Sequence, residues 1–66
     1  MSPSAERAMD RMAAAPLICQ PTVTTQEMRE ILLHGDGWMT AQGRAWNIVG
    51  EPLGAGVFRL RLIERD

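Results

Sequence analysis

The chain has 66 residues, with seven arginines, no lysine, eight acidic residues and a formal net charge of −1. A chain of this length makes one domain at most, and its core supplies only about 3–5 kcal/mol of net stability. The near-neutral charge argues against a basic footprint for nucleic acid or for an anionic membrane. Cys19 and His34 are single, which excludes an internal disulfide and a four-ligand zinc site built from cysteine and histidine.

The chain carries no signal for insertion into a membrane or for export. No run approaches the roughly 18 apolar residues that a membrane helix needs. Residues 1–6 also lack the basic start of a secretory signal. We therefore expect a cytoplasmic location.

The first predicted element is an amphipathic helix in residues 1–16. Ser2 or Ser4 can cap its N-terminus, and Pro3 suits an opening position because its missing N–H costs nothing there. Pro16 is expected to end the helix. Its predicted buried face recurs at helical spacing and consists of Ala5, Ala8, Met9, Met12 and Ala13.

Residues 17–35 are predicted to form an extended segment and a well-capped helix. The segment 17–21 is expected to be extended because the residue before a proline avoids the α region. Thr24 and Glu27 match a capping box, in which each side chain accepts from the other residue's backbone N–H. The helix is predicted over residues 24–34, with Gly35 in the left-handed conformation that ends many helices.

The remainder, residues 37–63, is predicted to form a β-meander that completes a single domain over residues 1–66. In the last strand Leu60 and Leu62 alternate with Arg59 and Arg61, as in a sheet buried on one side. The fold class is therefore α+β, with two short helices followed by an antiparallel sheet of about three strands. The predicted strands and connections are residues 38–40, a turn at 41–44, residues 45–49, a loose loop at 50–56, and residues 57–63.

A second interpretation of residues 41–49 remains open. In it Thr40 caps a short helix that ends at Gly50, and the chain is a winged helix-turn-helix. Gly43 in the helix interior would cost about 1 kcal/mol relative to alanine, and residues 46–49 are poor helix formers. The sheet is the favoured interpretation.

Four residues are candidates for contact with a protein partner: Arg44, Trp46, Arg59 and Arg61. Arginine binds carboxylate and phosphate groups in a bidentate manner, and tryptophan dominates many interfaces. We expect the three arginines to line one face of the sheet. The simpler alternatives are a solvated sheet face for the arginines and a core position for both Trp38 and Trp46.

No residue pattern indicates catalysis, a cofactor site or a metal site. General acid–base chemistry needs a positioned pair of titratable groups, and no such pairing stands out. The segment 54–56 lacks the Gly-Lys-Ser/Thr that follows in a phosphate-binding loop. We therefore expect a protein that is not an enzyme and binds no cofactor.

Two segments carry a family resemblance. The run Gly43-Arg44-Ala45-Trp46-Asn47-Ile48-Val49-Gly50, followed by a glycine-bearing loop and Val57-Phe58-Arg59-Leu60-Arg61-Leu62, resembles the closing hairpin of small phage head–tail joining and head-completion proteins. Residues 5–12, leading toward Thr22-Val23-Thr24, resemble their N-terminal helix and first extended segment. The resemblance implies a virion component that assembles as a ring between portal and tail, with no catalytic residues.

The sequence thus predicts a non-catalytic phage or prophage structural or adaptor protein that acts by protein–protein interaction, with the head–tail connector as its expected place. Its expected partners are virion neighbours or further copies of itself, in the host cytoplasm and in the virion. Nucleic acid and membrane are not expected partners. Two alternatives stay open, a winged-helix DNA-binding regulator and a small phage-encoded inhibitor of a host protein.

Overall fold

The computed structural model describes residues 1–65, so that Asp66, the last residue of the predicted domain, lies outside the described part. The elements in chain order are α1 (Pro3–Ala14), β1 (Thr22–Thr24), α2 (Thr25–His34), β2 (Trp38–Ala41), β3 (Arg44–Gly54) and β4 (Val57–Glu64). The strands form one antiparallel sheet in the order β1-β4-β3-β2. The predicted α+β class is confirmed. The sheet has one strand more than expected, because β1 lies between the two helices in sequence and pairs with β4.

Helix α1 begins and ends where the sequence predicts. Ser2 is the N-cap, its hydroxyl oxygen accepts from the Ala5 N–H at 3.3 Å, and Pro3 opens the helix. The predicted apolar face packs into the core, where three of its side chains are buried and the other two are partly buried. This face therefore supplies the contact that holds α1 on the sheet.

The segment after α1 differs from the prediction. Residues 16–18 form a turn rather than an extended strand, and the Ile18 N–H donates to the Ala15 carbonyl at 3.1 Å. Pro16 occupies the second position of this four-residue turn, where its fixed φ is favoured. The prediction treated the proline only as a helix terminator.

Helix α2 carries the predicted capping box. The Glu27 N–H donates to Thr24 Oγ1 at 3.2 Å, and the Thr24 N–H donates to Glu27 Oε1 at 2.8 Å. Gly35 ends the helix, but its φ of −117° is not left-handed, so that part of the prediction is wrong. Glycine is required there for space, because a Cβ would collide with the carbonyl oxygen of Trp38.

Residues 41–49 are extended, so the helical interpretation of this segment is wrong. A two-residue turn at Gln42 and Gly43 joins β2 to β3, and both residues have positive φ, at 55° and 73°. That pair of angles belongs to the type I′ turn, whose twist matches antiparallel strands. The strand places Trp46 and Ile48 together in the core. The poor helix propensity of residues 46–49 had favoured this extended conformation.

The predicted loose loop at residues 50–56 is also wrong, because β3 continues to Gly54. Only Ala55 and Gly56 lie between the two long strands, and both have positive φ. Leu53 is the extra residue of an irregularity between Pro52 and Gly54. Proline is tolerated in β3 because β2 pairs only with residues 44–47, which leaves Pro52 at an edge that needs no donor.

The core lies on one side of the sheet, beneath both helices. Trp46 is 2% exposed, and its indole Nε1 donates to the Ala41 carbonyl at 2.9 Å. This bond satisfies the one polar atom of the largest core side chain. The buried apolar side chains are Ala5, Ala8, Met12, Val23, Ile31, Ala41, Trp46, Ile48, Leu60 and Leu62.

Replacing Trp46 with phenylalanine tests this packing. We expect a loss of about 2 kcal/mol in the free energy of unfolding, because the change leaves a void and removes the buried indole hydrogen bond. The matched control is Trp38→Phe, at a 39% exposed residue, which should cost less than about 1 kcal/mol. Urea unfolding at unchanged m-value measures both, and equal losses in the two variants would contradict the placement of the core.

The turn at Ala55 offers a second test. Alanine is held there at a φ of 55°, a left-handed conformation that asparagine adopts at lower cost. We expect Ala55→Asn to raise the free energy of unfolding by roughly 0.5–1 kcal/mol, and Ala55→Val to lower it by about 1 kcal/mol or more. Thermal unfolding of the pair checks this, and a less stable asparagine variant would rule out the tight turn.

Candidate protein-interaction surface

The register of the sheet sorts its side chains into two faces. Leu60 and Leu62 of β4 point toward the helices, so Arg59 and Arg61 point to the opposite side. We call this opposite side the open face. The residues that characterise it are Trp38 of β2, Val49 and Glu51 of β3, and Arg59, Arg61 and Ile63 of β4. The packed core and both helices lie on the other side of the sheet, so the described chain leaves this face uncovered.

Two of the predicted partner-binding residues lie on the open face. Arg59 is partly buried, with Glu51 of β3 on one side of it and Thr22 of β1 on the other. Arg61 is exposed and stands opposite Val49 of β3. Their guanidinium groups form no ion pair with a carboxylate of residues 1–65. Both are therefore free to meet an anionic group from outside the chain.

Arg44 lies on the helix side of the sheet, so the expectation that three arginines share one face is wrong. It is two residues before Trp46 in β3 and therefore has the same orientation as this core residue. Its Nη1 lies 3.1 Å from Glu64 Oε1 across the sheet. The two side chains are 63% and 44% exposed, and such a pair contributes about 0–1 kcal/mol.

Trp46 is a core residue, so its candidacy as a partner contact is wrong. The alternation of β3 directs the indole beneath the helices, where a partner cannot reach it. Trp38 is the tryptophan on the surface, which corrects its expected core position. It stands opposite Asn47 in the register and is 39% exposed.

Arg65, which was not among the predicted partner-binding residues, completes the surface beside Trp38. Its Cζ lies 5.0 Å from the centroid of the Trp38 ring, within the range of a cation–π contact. The Arg65 N–H donates to the Ala45 carbonyl at 2.9 Å, which extends the pairing of β3 and β4 by one step. In the sequence, residues 59, 61, 63 and 65 follow the alternation of a strand, and this pattern already places Arg65 on the same side as Arg59 and Arg61.

The last strand, β4, is not an edge of the sheet. β4 lies between β3 and β1 over residues 57–59, and the edge strands are β1 and β2. Only the end of β4, beyond Leu60, extends past its neighbour β1. A partner strand could add to that end of β4 only over a short length.

The helix side of the molecule has a different character. Ser2 Oγ donates to Glu30 Oε2 at 2.7 Å and so links the start of α1 to α2. The nearby hydroxyl of Ser4 and the hydrogen bond from the Thr24 N–H hold the pKa of Glu27 below its usual value. A turn next to this side exposes two apolar side chains, Leu17 and Ile18, at 81% and 83%.

No chemistry-bearing cluster is found in the part of the chain that the structure describes. Across residues 1–65, no three His, Cys, Asp or Glu side chains are grouped so that they could hold a metal ion. None of the helices formed by those residues is long and apolar enough to cross a membrane. Among the same residues, no buried side-chain polar atom lacks a hydrogen-bond partner.

Comparison with protein-family models, with curated proteins and with solved structures finds no match to this chain. A function is therefore inferred from the geometry of the surface and from the resemblance carried by residues 43–62.

Proposed function

We propose that this chain is a non-catalytic adaptor or structural protein that binds a protein partner through the open face. The observation that carries the proposal is the uncovered side of the sheet, where Trp38, Val49 and Ile63 lie among arginines. A contiguous mixture of aromatic, aliphatic and arginine side chains is typical of protein interfaces. Binding there would also add buried area to a domain whose own core is small.

The stability of the domain supports the same proposal. The helices cover one side of the sheet only, and a core of this size contributes about 3–5 kcal/mol of net stability. A partner that binds the folded state alone would stabilise it by mass action. A protein that works inside an assembly can therefore function with the modest core that this chain has.

The narrower proposal places the protein at the head–tail connector of a phage or prophage. It is supported by the resemblance of residues 43–62 to the closing hairpin of head-completion proteins. Its partners there would be virion neighbours or further copies of the chain. Quantitative mass spectrometry of purified virions tests this placement, with a fixed number of copies per particle as the expected result and absence from the particle as the contrary one.

The extended conformation of residues 41–49 is the reason for preferring a protein partner to duplex DNA. A winged helix-turn-helix needs residues 41–49 as the helix that enters the major groove, and these residues form β3 and its turn. Arg59 and Arg61 stand on a sheet rather than in a wing beside such a helix. Binding to duplex DNA would thus need a different geometry from that of a winged helix-turn-helix.

Exchanging Arg59 and Arg61 for glutamine is the main test of the proposal. Both side chains lie on the open face, so we expect the free energy of unfolding to change by less than about 1 kcal/mol while partner binding weakens. The matched control is Arg7→Gln with Arg11→Gln, which removes the same charge from an exposed part of α1. The control variant should bind as the original protein does.

The partner is located with a photo-crosslinking amino acid, placed either at Asn47 on the open face or at Gln26 on α2. In cells that make the protein naturally, we expect the same protein adduct to form from position 47 and not from position 26. The double exchange at Arg59 and Arg61 should reduce this adduct, and the α1 control should not. An adduct from position 26 alone, or one that neither exchange affects, would overturn the proposal.

A further inference from the structure

The net charge of −1 conceals two surfaces of opposite sign. Three arginines, Arg59, Arg61 and Arg65, belong to the open face, against one acidic residue, Glu51. The other described residues carry four arginines and six acidic residues. The open face therefore has an excess of two positive charges, and the rest of the described molecule has an excess of two negative charges.

We propose that the partner bound by the open face is an acidic segment of a protein, in which carboxylates and apolar side chains share one face. This inference rests on the proposed function and names the chemistry of the partner. Carboxylates would meet the arginines in charge-assisted, bidentate hydrogen bonds, which are about twice as strong as neutral ones. The partner's apolar side chains would cover Val49 and Ile63.

The spacing of the arginines fits such a segment. Arg59 and Arg61 are neighbours on one face of β4, and in a strand such neighbours are about 6.6–6.8 Å apart. Carboxylates two residues apart in an extended segment have the same spacing, and carboxylates four residues apart in a helix are about 6 Å apart along its axis. A pair of acidic residues in either conformation can therefore engage both arginines together.

The contrast with Arg44 supports an external partner for these arginines. Arg44 has an acidic neighbour of its own, Glu64, at 3.1 Å. Arg59 stands opposite Glu51 in the register without an ion pair, and Arg61 stands opposite an aliphatic residue. Arg44, on the helix side of the sheet, is thus paired within the chain. Arg61, in the middle of the open face, remains available to a carboxylate of a partner.

The same surface fits single-stranded nucleic acid less well. Sheets that bind RNA stack two or three bases on separate aromatic side chains. The open face carries a single aromatic residue, Trp38, and the guanidinium of Arg65 already lies over its ring. The aliphatic pair Val49 and Ile63 also offers no partner to a phosphate. We therefore argue for the acidic protein segment and treat nucleic acid as an outcome of the test.

The test is a titration of the ¹⁵N-labelled protein, followed by backbone amide shifts. The probe is a 12-residue peptide that repeats glutamate-serine-glutamate-serine-valine-serine, so that glutamate and valine share one face of the extended peptide. The comparison probes are the same peptide with glutamine for every glutamate and a 15-nucleotide oligothymidylate. The protein variants are Arg61→Gln with Arg65→Gln and, as the charge-matched control, Arg7→Gln with Arg11→Gln.

We expect the acidic peptide to shift the amides of residues 47–51 and 59–63, and to bind at least five times more tightly than the glutamine peptide. Exchange of Arg61 and Arg65 should weaken its binding at least threefold, and the α1 control should leave it unchanged. No shifts on the open face, equal binding of the two peptides, or tighter binding of the oligonucleotide would each overturn the inference. The cross-link from position 47 would still stand in those cases, so that failure of the inference is distinguishable from failure of the proposed function.

Discussion

The register between β3 and β4 is the constraint on which the rest of the structure depends. Side chains alternate between the two sides of a strand, so a slip of one residue would exchange every buried and exposed position. The two-residue turn at Ala55 and Gly56 and the irregularity at Leu53 set this register. It places Ile48 opposite Leu62 beneath the helices and Val49 opposite Arg61 on the open face. The core and the proposed binding surface are therefore two consequences of one pairing.

The division of the sheet also explains how a chain with a net charge of only −1 can have a polarised surface. The helices carry four of the eight acidic residues and cover the apolar side, while the uncovered side retains three arginines. Within a Debye length of about 8 Å at physiological salt, an approaching partner responds mainly to the nearer face. The thickness of the domain, 19–21 Å along its shorter axes, exceeds that distance. The charge of the face that a partner approaches therefore affects binding more than the net charge of the chain does.

Local signals predicted much of the fold, and the failures have physical causes. The caps at Ser2 and Thr24 and the alternation in β4 depend on nearby residues, and the structure confirms them. The strand β1 was missed because three residues between two helices carry too little pattern without the partner strand that stabilises them. The face of Arg44 was mistaken because residues 41–44 were predicted to be a turn, whereas β3 begins at Arg44 and gives it the orientation of Trp46. Trp38 and Trp46 are the same residue type, so the residue type alone does not tell them apart. The pairing of the strands leaves the ring of Trp38 exposed and buries that of Trp46.

The register is tested most directly by NMR contacts between α-protons of β3 and β4. The Arg65 N–H bond to the Ala45 carbonyl fixes which pairs are hydrogen-bonded, so Ile48 and Leu62 form a pair without mutual hydrogen bonds, in which the Cα atoms approach most closely. The account predicts strong cross-peaks between the α-protons of Ile48 and Leu62 and between those of Gly50 and Leu60. Cross-peaks from Ile48 to Arg61 or Ile63 in their place would contradict it, because the arginines would then point toward the helices and the open face would not exist.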